Sequence, residues 1–167
     1  MKTIKKLYLV LLTVLGILLV VADQAAKKVA IRYLSNGASA PGIDGLFNFE
    51  YVENRGAAFG MLQDTRWFLV AITVLVIAAL LFCVIKIPKK PFLMPVSVTL
   101  VVAGGVGNLI DRVFQGYVVD YIHLLFMDFP CFNIADICVC VGMMLLCISI
   151  LLMPSKKQEA HNDGGNS

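Results

Sequence analysis

Two aspartates pose the first chemical question. The segment YVVDYIHLLFMDFPCFNIADICVCVG, residues 117–142, sets Asp120 and Asp136 among valine, isoleucine, leucine and phenylalanine. Removing a carboxylate from water costs on the order of several kcal/mol unless it is paired or protonated. If two carboxyls meet in space they cannot both ionise freely, and they share one proton. Such a pair can take a proton from water and give one to a leaving amine. Asp136 has a structural reason to be where it is, because Asn133 and Asp136 are spaced as a helix cap and its reciprocal partner. A helix N-terminus also favours negative charge. Asp120, between Val119 and Tyr121, has no cation beside it in sequence. On this reading Asp136 is the base, and Asp120 stays neutral and donates.

Other polar residues stand out against the same apolar background. In AGGVGNLIDRVFQG, residues 103–116, Gly104, Gly105 and Gly107 permit close backbone approach in a membrane bundle. Asn108 and Arg112 share one helical face and can bind carbonyls or a carboxylate. Asp111 beside Arg112 reads as an interfacial ion pair. VENRGAAFG, residues 52–60, places Asn54 and Arg55 before Gly56, which suits either a turn or a loop whose amides contact an extended peptide. Asp23 and Lys27 have the spacing of a helical ion pair, worth about a few tenths of a kcal/mol at a surface. Three rival chemistries are weaker. Cys131 with His123 lacks an activating charge. Asp120, His123 and Asp136 as a zinc set match no ligand spacing. Ser35 or Ser39 with Lys27 or Lys28 would sit in turn material. Of five cysteines, only Cys131 lies outside the apolar runs, so neither a disulfide framework nor a zinc motif is expected.

The elements that must hold these residues are written in the composition. Hydrophobic residues make up 59% of the 167-residue chain and charged residues 15%, against about 25% charged in soluble domains. Mean hydropathy is +0.85. Charge-free blocks predict four transmembrane helices over about 7–22, 67–85, 91–110 and 137–153, in one domain over 1–154. Residues 155–167 read as a polar, disordered cytoplasmic tail. With both termini cytoplasmic, the inner segments carry Lys2, Lys5, Lys6, Lys86, Lys89, Lys90, Lys156 and Lys157 against Glu159 and Asp163, which satisfies the positive-inside rule. The net charge of +3 thus reports topology, and no nucleic-acid patch is present. The first apolar run is long for a cleaved signal peptide and three more spans follow it, so it is read as a retained span; with no cysteine after the run, the chain is not expected to be a lipoprotein itself. DQAAKKVAIRYL continues it as an amphipathic stretch on the membrane surface. SNGASAPGIDG reads as turns. LFNFEYVEN alternates Phe47, Phe49 and Tyr51 like a strand, whose aromatic face rests on headgroups or packs on the protein itself. Residues 111–136 read as a short apolar segment dipping toward the membrane. From these residues alone the chain is an enzyme with paired acids, a small proton or ion carrier, or a non-catalytic assembly partner.

Five motifs carry a resemblance: DQAAK at 23–27, ENRGAAFG at 53–60, GGVGNLIDR at 104–112, VVDYI at 118–122 and FNIAD at 132–136. In this order, on four spans, they resemble signal peptidase II, the bacterial lipoprotein signal peptidase. The resemblance covers nearly the whole chain apart from the tail. It implies an integral membrane, mainly α fold with four transmembrane helices, a small extracytoplasmic β-sheet and a surface amphipathic helix. It implies an aspartic endopeptidase of the inner membrane, active on the outer face without metal or cofactor. The implied substrate is a prolipoprotein with diacylglycerol on its lipobox cysteine, cut just before that cysteine. Asp120 and Asp136 match the catalytic dyad. Asp23, Lys27, Asn54, Gly56, Asn108, Arg112, Asn133 and Ala135 match positions that line or support the site, with Gly104 in the same glycine motif. Membrane lipids and a globomycin-type inhibitor are the other implied partners, and a monomer is expected. Two residues depart from the pattern: His123, where an acid or another polar residue is frequent, and Ile137, where a small residue is common.

Overall fold

The structure, a computed structural model, describes residues 2–57, 61–86 and 92–152. In chain order it contains α1 (Lys2–Leu34), β1 (Ser39–Ile43), β2 (Phe47–Asn54), α2 (Arg66–Lys86), α3 (Leu93–Phe114), β3 (Val118–Leu124) and α4 (Ile134–Leu151). All four helices are long and apolar enough to cross a membrane, and the chain is a multi-pass membrane protein. The observed helices depart from the charge-free blocks for physical reasons. α4 begins at Ile134 because Asn133 caps it with Asp136 as the reciprocal partner. α3 runs on through Asp111 and Arg112 to Phe114, because both charges find partners on other elements. The inner loop, apart from its flanks, and the segment from residue 153 onward lie outside the described residues, so the expected tail does too.

α1 has 33 residues. At 1.5 Å per residue that is about 50 Å, against a hydrocarbon core of about 30 Å. Its outer part therefore stands beyond the membrane core. The amphipathic stretch is this end of α1 and not a separate element. Ala30 and Leu34 on its buried side form a cluster with Val119 and Tyr121 of β3, against which Phe49, Tyr51 and Ile122 pack. The aromatic residues of β2 thus pack on the protein's own outer helix, and Phe47 meets Phe49 edge to face at 5.3 Å.

The strands form one antiparallel sheet in the order β1-β2-β3. Two expectations are corrected here. SNGASAPGIDG, read as turns, supplies β1, and its hairpin closes over Gly45 at φ +72°. The segment 111–136, read as dipping into the membrane, contains β3, which pairs Val118 with Asn54 and Asp120 with Val52. The outer edge of β3 is covered where Phe132 exchanges backbone hydrogen bonds with Ile122 at 2.8 and 3.0 Å.

α3 packs against α1, α2 and α4, and its glycines allow this. A Cβ on Gly104 would strike the carbonyl oxygen of Ala135 and come within 2.8 Å of Val139. One on Gly107 would lie 2.7 Å from an Asp23 carboxyl oxygen. Gly104→Ala is therefore expected to push α4 off α3 and to cost about 1–3 kcal/mol. The measurement is thermal unfolding in detergent; an unchanged midpoint would show that the two backbones are free to separate.

Candidate active site

Pleating of β3 sends Val119 and Tyr121 into the cluster on α1 and leaves Asp120 on the opposite face. Asp120 is 1% exposed. Its carboxyl accepts from Asn54 Nδ2 at 2.9 Å and from Asn133 Nδ2 at 2.6 Å. Asp136, in the first turn of α4, accepts from Asn108 Nδ2 at 2.8 Å and from the Asn133 N–H at 3.1 Å, while its own N–H donates to Asn133 Oδ1 at 3.0 Å. Asn133 therefore holds one acid through its side chain and the other through its backbone. Both acids line one cavity of about 250 Å³ with Asn54, Asn108, Arg112 and Cys131. Burial pushes the Asp120 carboxyl up to about 7 and the charge of Asp136 pushes in the same direction, against the Asn54 and Asn133 amides and Lys27.

Behind this cavity lies a buried ion cluster. Lys27, 2% exposed, places Nζ 2.9 Å from Asp23 Oδ2, 2.8 Å from Asp111 Oδ2 and 2.9 Å from Asn108 Oδ1. An ammonium has three donors, and these are three acceptors. Asp23 also accepts from the Ala135 N–H at 3.0 Å, and Asp111 from the Val119 N–H at 3.3 Å. The cluster thus ties α1 to α3, to β3 and to the start of α4. Its effect reaches the acids through Asn108, which is held by Lys27 on one atom and holds Asp136 with the other.

Several sequence-based expectations are adjusted. Asp111 pairs with Lys27 and not with Arg112, whose Nη2 donates to the Gly56 carbonyl at 3.0 Å. The Asp23–Lys27 pair is buried, so the surface value of a few tenths of a kcal/mol does not apply to it. In the loop after β2 the Gly56 and Ala57 N–H groups donate to Asn54 Oδ1 and the Met61 carbonyl, so neither is free for a peptide. Cys131 is a poor nucleophile: burial first, and then the Asp120 charge, push its thiol up to about 12. His123 faces Glu50 Oε2 at 3.3 Å. Among the described residues no three His, Cys, Asp or Glu side chains are grouped to hold a metal ion. Asp111 and Gln24 belong to the support and escaped the sequence reading in that role. Gln24 Nε2 donates to Asp111 at 3.0 Å and to the Gly107 carbonyl at 3.1 Å. Asp111 shares a helical face with Asn108, a usable signal; Gln24 offers none.

The chain was compared with known proteins. Residues 15–152 match the family model described as signal peptidase (SPase) II. A lipoprotein signal peptidase of Streptococcus thermophilus (strain CNRZ 1066) is 41% identical over 140 residues, which is 84% of this chain and 90% of the relative. One from Clostridium tetani (strain Massachusetts / E88) is 40% identical over 157 residues, 92% of this chain and 96% of the relative. A bacterial membrane enzyme solved at 1.9 Å superposes with a TM-score of 0.77 at 34% identity, covering 86% of this chain and 94% of that one. The match runs through all four spans and both strands that bear the site, β2 and β3, and on this evidence the chain belongs to the signal peptidase II family.

Proposed function

We propose that the chain is an aspartic endopeptidase of the bacterial inner membrane, with Asp120 and Asp136 as its catalytic dyad. It removes the signal peptide from a prolipoprotein, the activity of its family, and cuts just before a cysteine carrying diacylglycerol. The observation that carries this reading is the double grip of Asn133, which turns one buried and one partly buried carboxyl toward one cavity. Asp136 lies at the end of a span and Asp120 on the strand beside it, the depth at which a lipid anchor would hold the scissile bond. The placement of the lysines supports cytoplasmic termini and a site on the outer face.

The geometry suits a general acid–base reaction. Water between the carboxyls attacks the scissile carbonyl carbon, and Asp136 takes the proton that the water loses. Asp120 gives its proton to the carbonyl oxygen. In the collapse, Asp136 passes its proton to the amide nitrogen, which leaves as the amine of the lipid-bearing cysteine. The proton on the oxygen returns to Asp120. Each acid ends as it began. Binding of the remote lipid orients the amide for this chemistry.

The test is cleavage of a diacylated prolipoprotein by the purified chain, with the unacylated precursor and EDTA as controls. Cleavage of the diacylated form alone, unaffected by EDTA, is the expected result. Because Asp120 must carry a proton and titrates near 7, kcat/KM should fall as pH rises through about 7. The pair titrates as a unit. A rate that holds constant from pH 6 to 9 would remove Asp120 from the role of acid.

A further inference from the structure

A second cavity, of about 370 Å³, borders the first, and the two share Asn54, Asp120, Phe129, Pro130 and Cys131 as lining. Asp120 therefore stands between them. Their linings differ in kind. Beyond the shared residues the first is finished mainly by residues of the spans, among them Val139 and Cys140 of α4, together with Ala57, Val118 and Phe132. The second is finished by residues of the sheet and its loops: Glu50, Glu53, Arg55, Gln63 and His123. On the proposed function a substrate threads past Asp120 with its signal peptide and lipid in the membrane and its remaining chain in water. The polar cavity is the one on the water side.

We infer that this outward cavity receives the first residues after the lipid-bearing cysteine, and that it favours basic side chains there over acidic ones. The inference rests on the proposed function. Its chemistry comes from the lining. Glu50 and Glu53 are each somewhat over a third exposed, so their carboxylates remain open to a ligand while held in place. Asn48 Nδ2 donates to Glu50 Oε1 at 2.7 Å, and His123 Nδ1 stands 3.3 Å from Oε2. Tyr51 donates to Glu53 Oε1 at 3.2 Å, and Arg55 donates to Oε2 at 2.9 Å. With Asp120 protonated, the two carboxylates of Glu50 and Glu53 face one permanent cation, Arg55, and one histidine. A lysine or arginine of the substrate adds the missing charge, whereas a glutamate meets like charges. His123, one of the two departures from the family pattern, lines this cavity and is placed to tune that preference.

The experiment uses the full chain and three diacylated prolipoprotein peptides that differ only at the first and second residues after the cysteine: two lysines, two serines or two glutamates. The dilysine peptide should be cleaved with kcat/KM roughly three- to five-fold above the diglutamate peptide, the size expected of half-exposed charge pairs. The ratio should shrink with added salt. In the Glu50→Gln, Glu53→Gln double variant the ratio should move toward one. Reading a ratio within each protein keeps the test valid if the variant is merely less active. If the variant does not fold, the salt dependence and a His123→Glu variant, which should raise the ratio, carry the test. Equal cleavage of all three peptides would overturn the inference and leave the proposed function standing. Cleavage of none would count against the proposed function itself.

Discussion

Asp120→Asn and Asp136→Asn should each lower kcat by about a thousand-fold, within the range of about 10²–10⁴ that a positioned acid or base supplies. The fold should survive in both. For Asp120 the sign follows from its raised titration near 7. A carboxyl raised on folding contributes stability that is present below its ordinary value and lost as pH rises through about 7. At pH 8 the native Asp120 is thus a buried charge that weakens the folded state, and an amide removes that charge. The Asp120→Asn variant should unfold at pH 8 no more easily than the parent while cleaving almost nothing. Thermal unfolding and product formation on the same preparation make the comparison. Substantial and equal residual cleavage in both variants would dissolve the dyad. An assembly partner without catalysis would tolerate both changes.

The second large effect is structural. Lys27→Met should destabilise the protein by about 3–5 kcal/mol, because Asp23 and Asp111 are left as buried charges without their cation. Both are essentially inaccessible to solvent, so water cannot replace the ammonium. Neutralising the acids in the same protein, Asp23→Asn with Asp111→Asn, should recover much of the loss, since an uncharged replacement of a buried ion cluster is often tolerated. Thermal unfolding of parent, single and triple variants in one detergent measures this. An unfolding midpoint for Lys27→Met equal to that of the parent would mean that the cluster contributes geometry alone. Activity should not return with stability, because Asn108 loses the ammonium that fixes its oxygen and with it the alignment of Asp136.

Sequence made the spans legible because lipid demands long stretches without charge, and such stretches need no partner to be recognised. It made the start of α4 legible for a similar reason: Asn133 and Asp136 satisfy each other locally. What escaped depends on residues far apart in the chain. β1 contains Pro41 and Gly42 and reads as a turn until β2 pairs with it. β3 is apolar enough to pass for membrane and becomes a strand only between β2 and Phe132. Asp120 was visible as an unexplained carboxylate in an apolar run and Asp136 as the partner of a helix cap, but the contact that joins them was not. Nothing in the spacing of Asn133 shows that its amide crosses to Asp120. Asp23 and Lys27 announced a pair by their spacing, and only packing against α3 turned it into a cluster with Asp111 and Asn108.

One residue both begins a membrane helix and spaces the two acids. Asn133 cannot let go of Asp136 without loosening the first turn of α4, nor can that turn fray without moving its amide away from Asp120. Local melting and loss of chemistry are then a single event. On heating, the enzyme should fall silent while its bundle is still intact, and on cooling it should recover as soon as that one turn winds again.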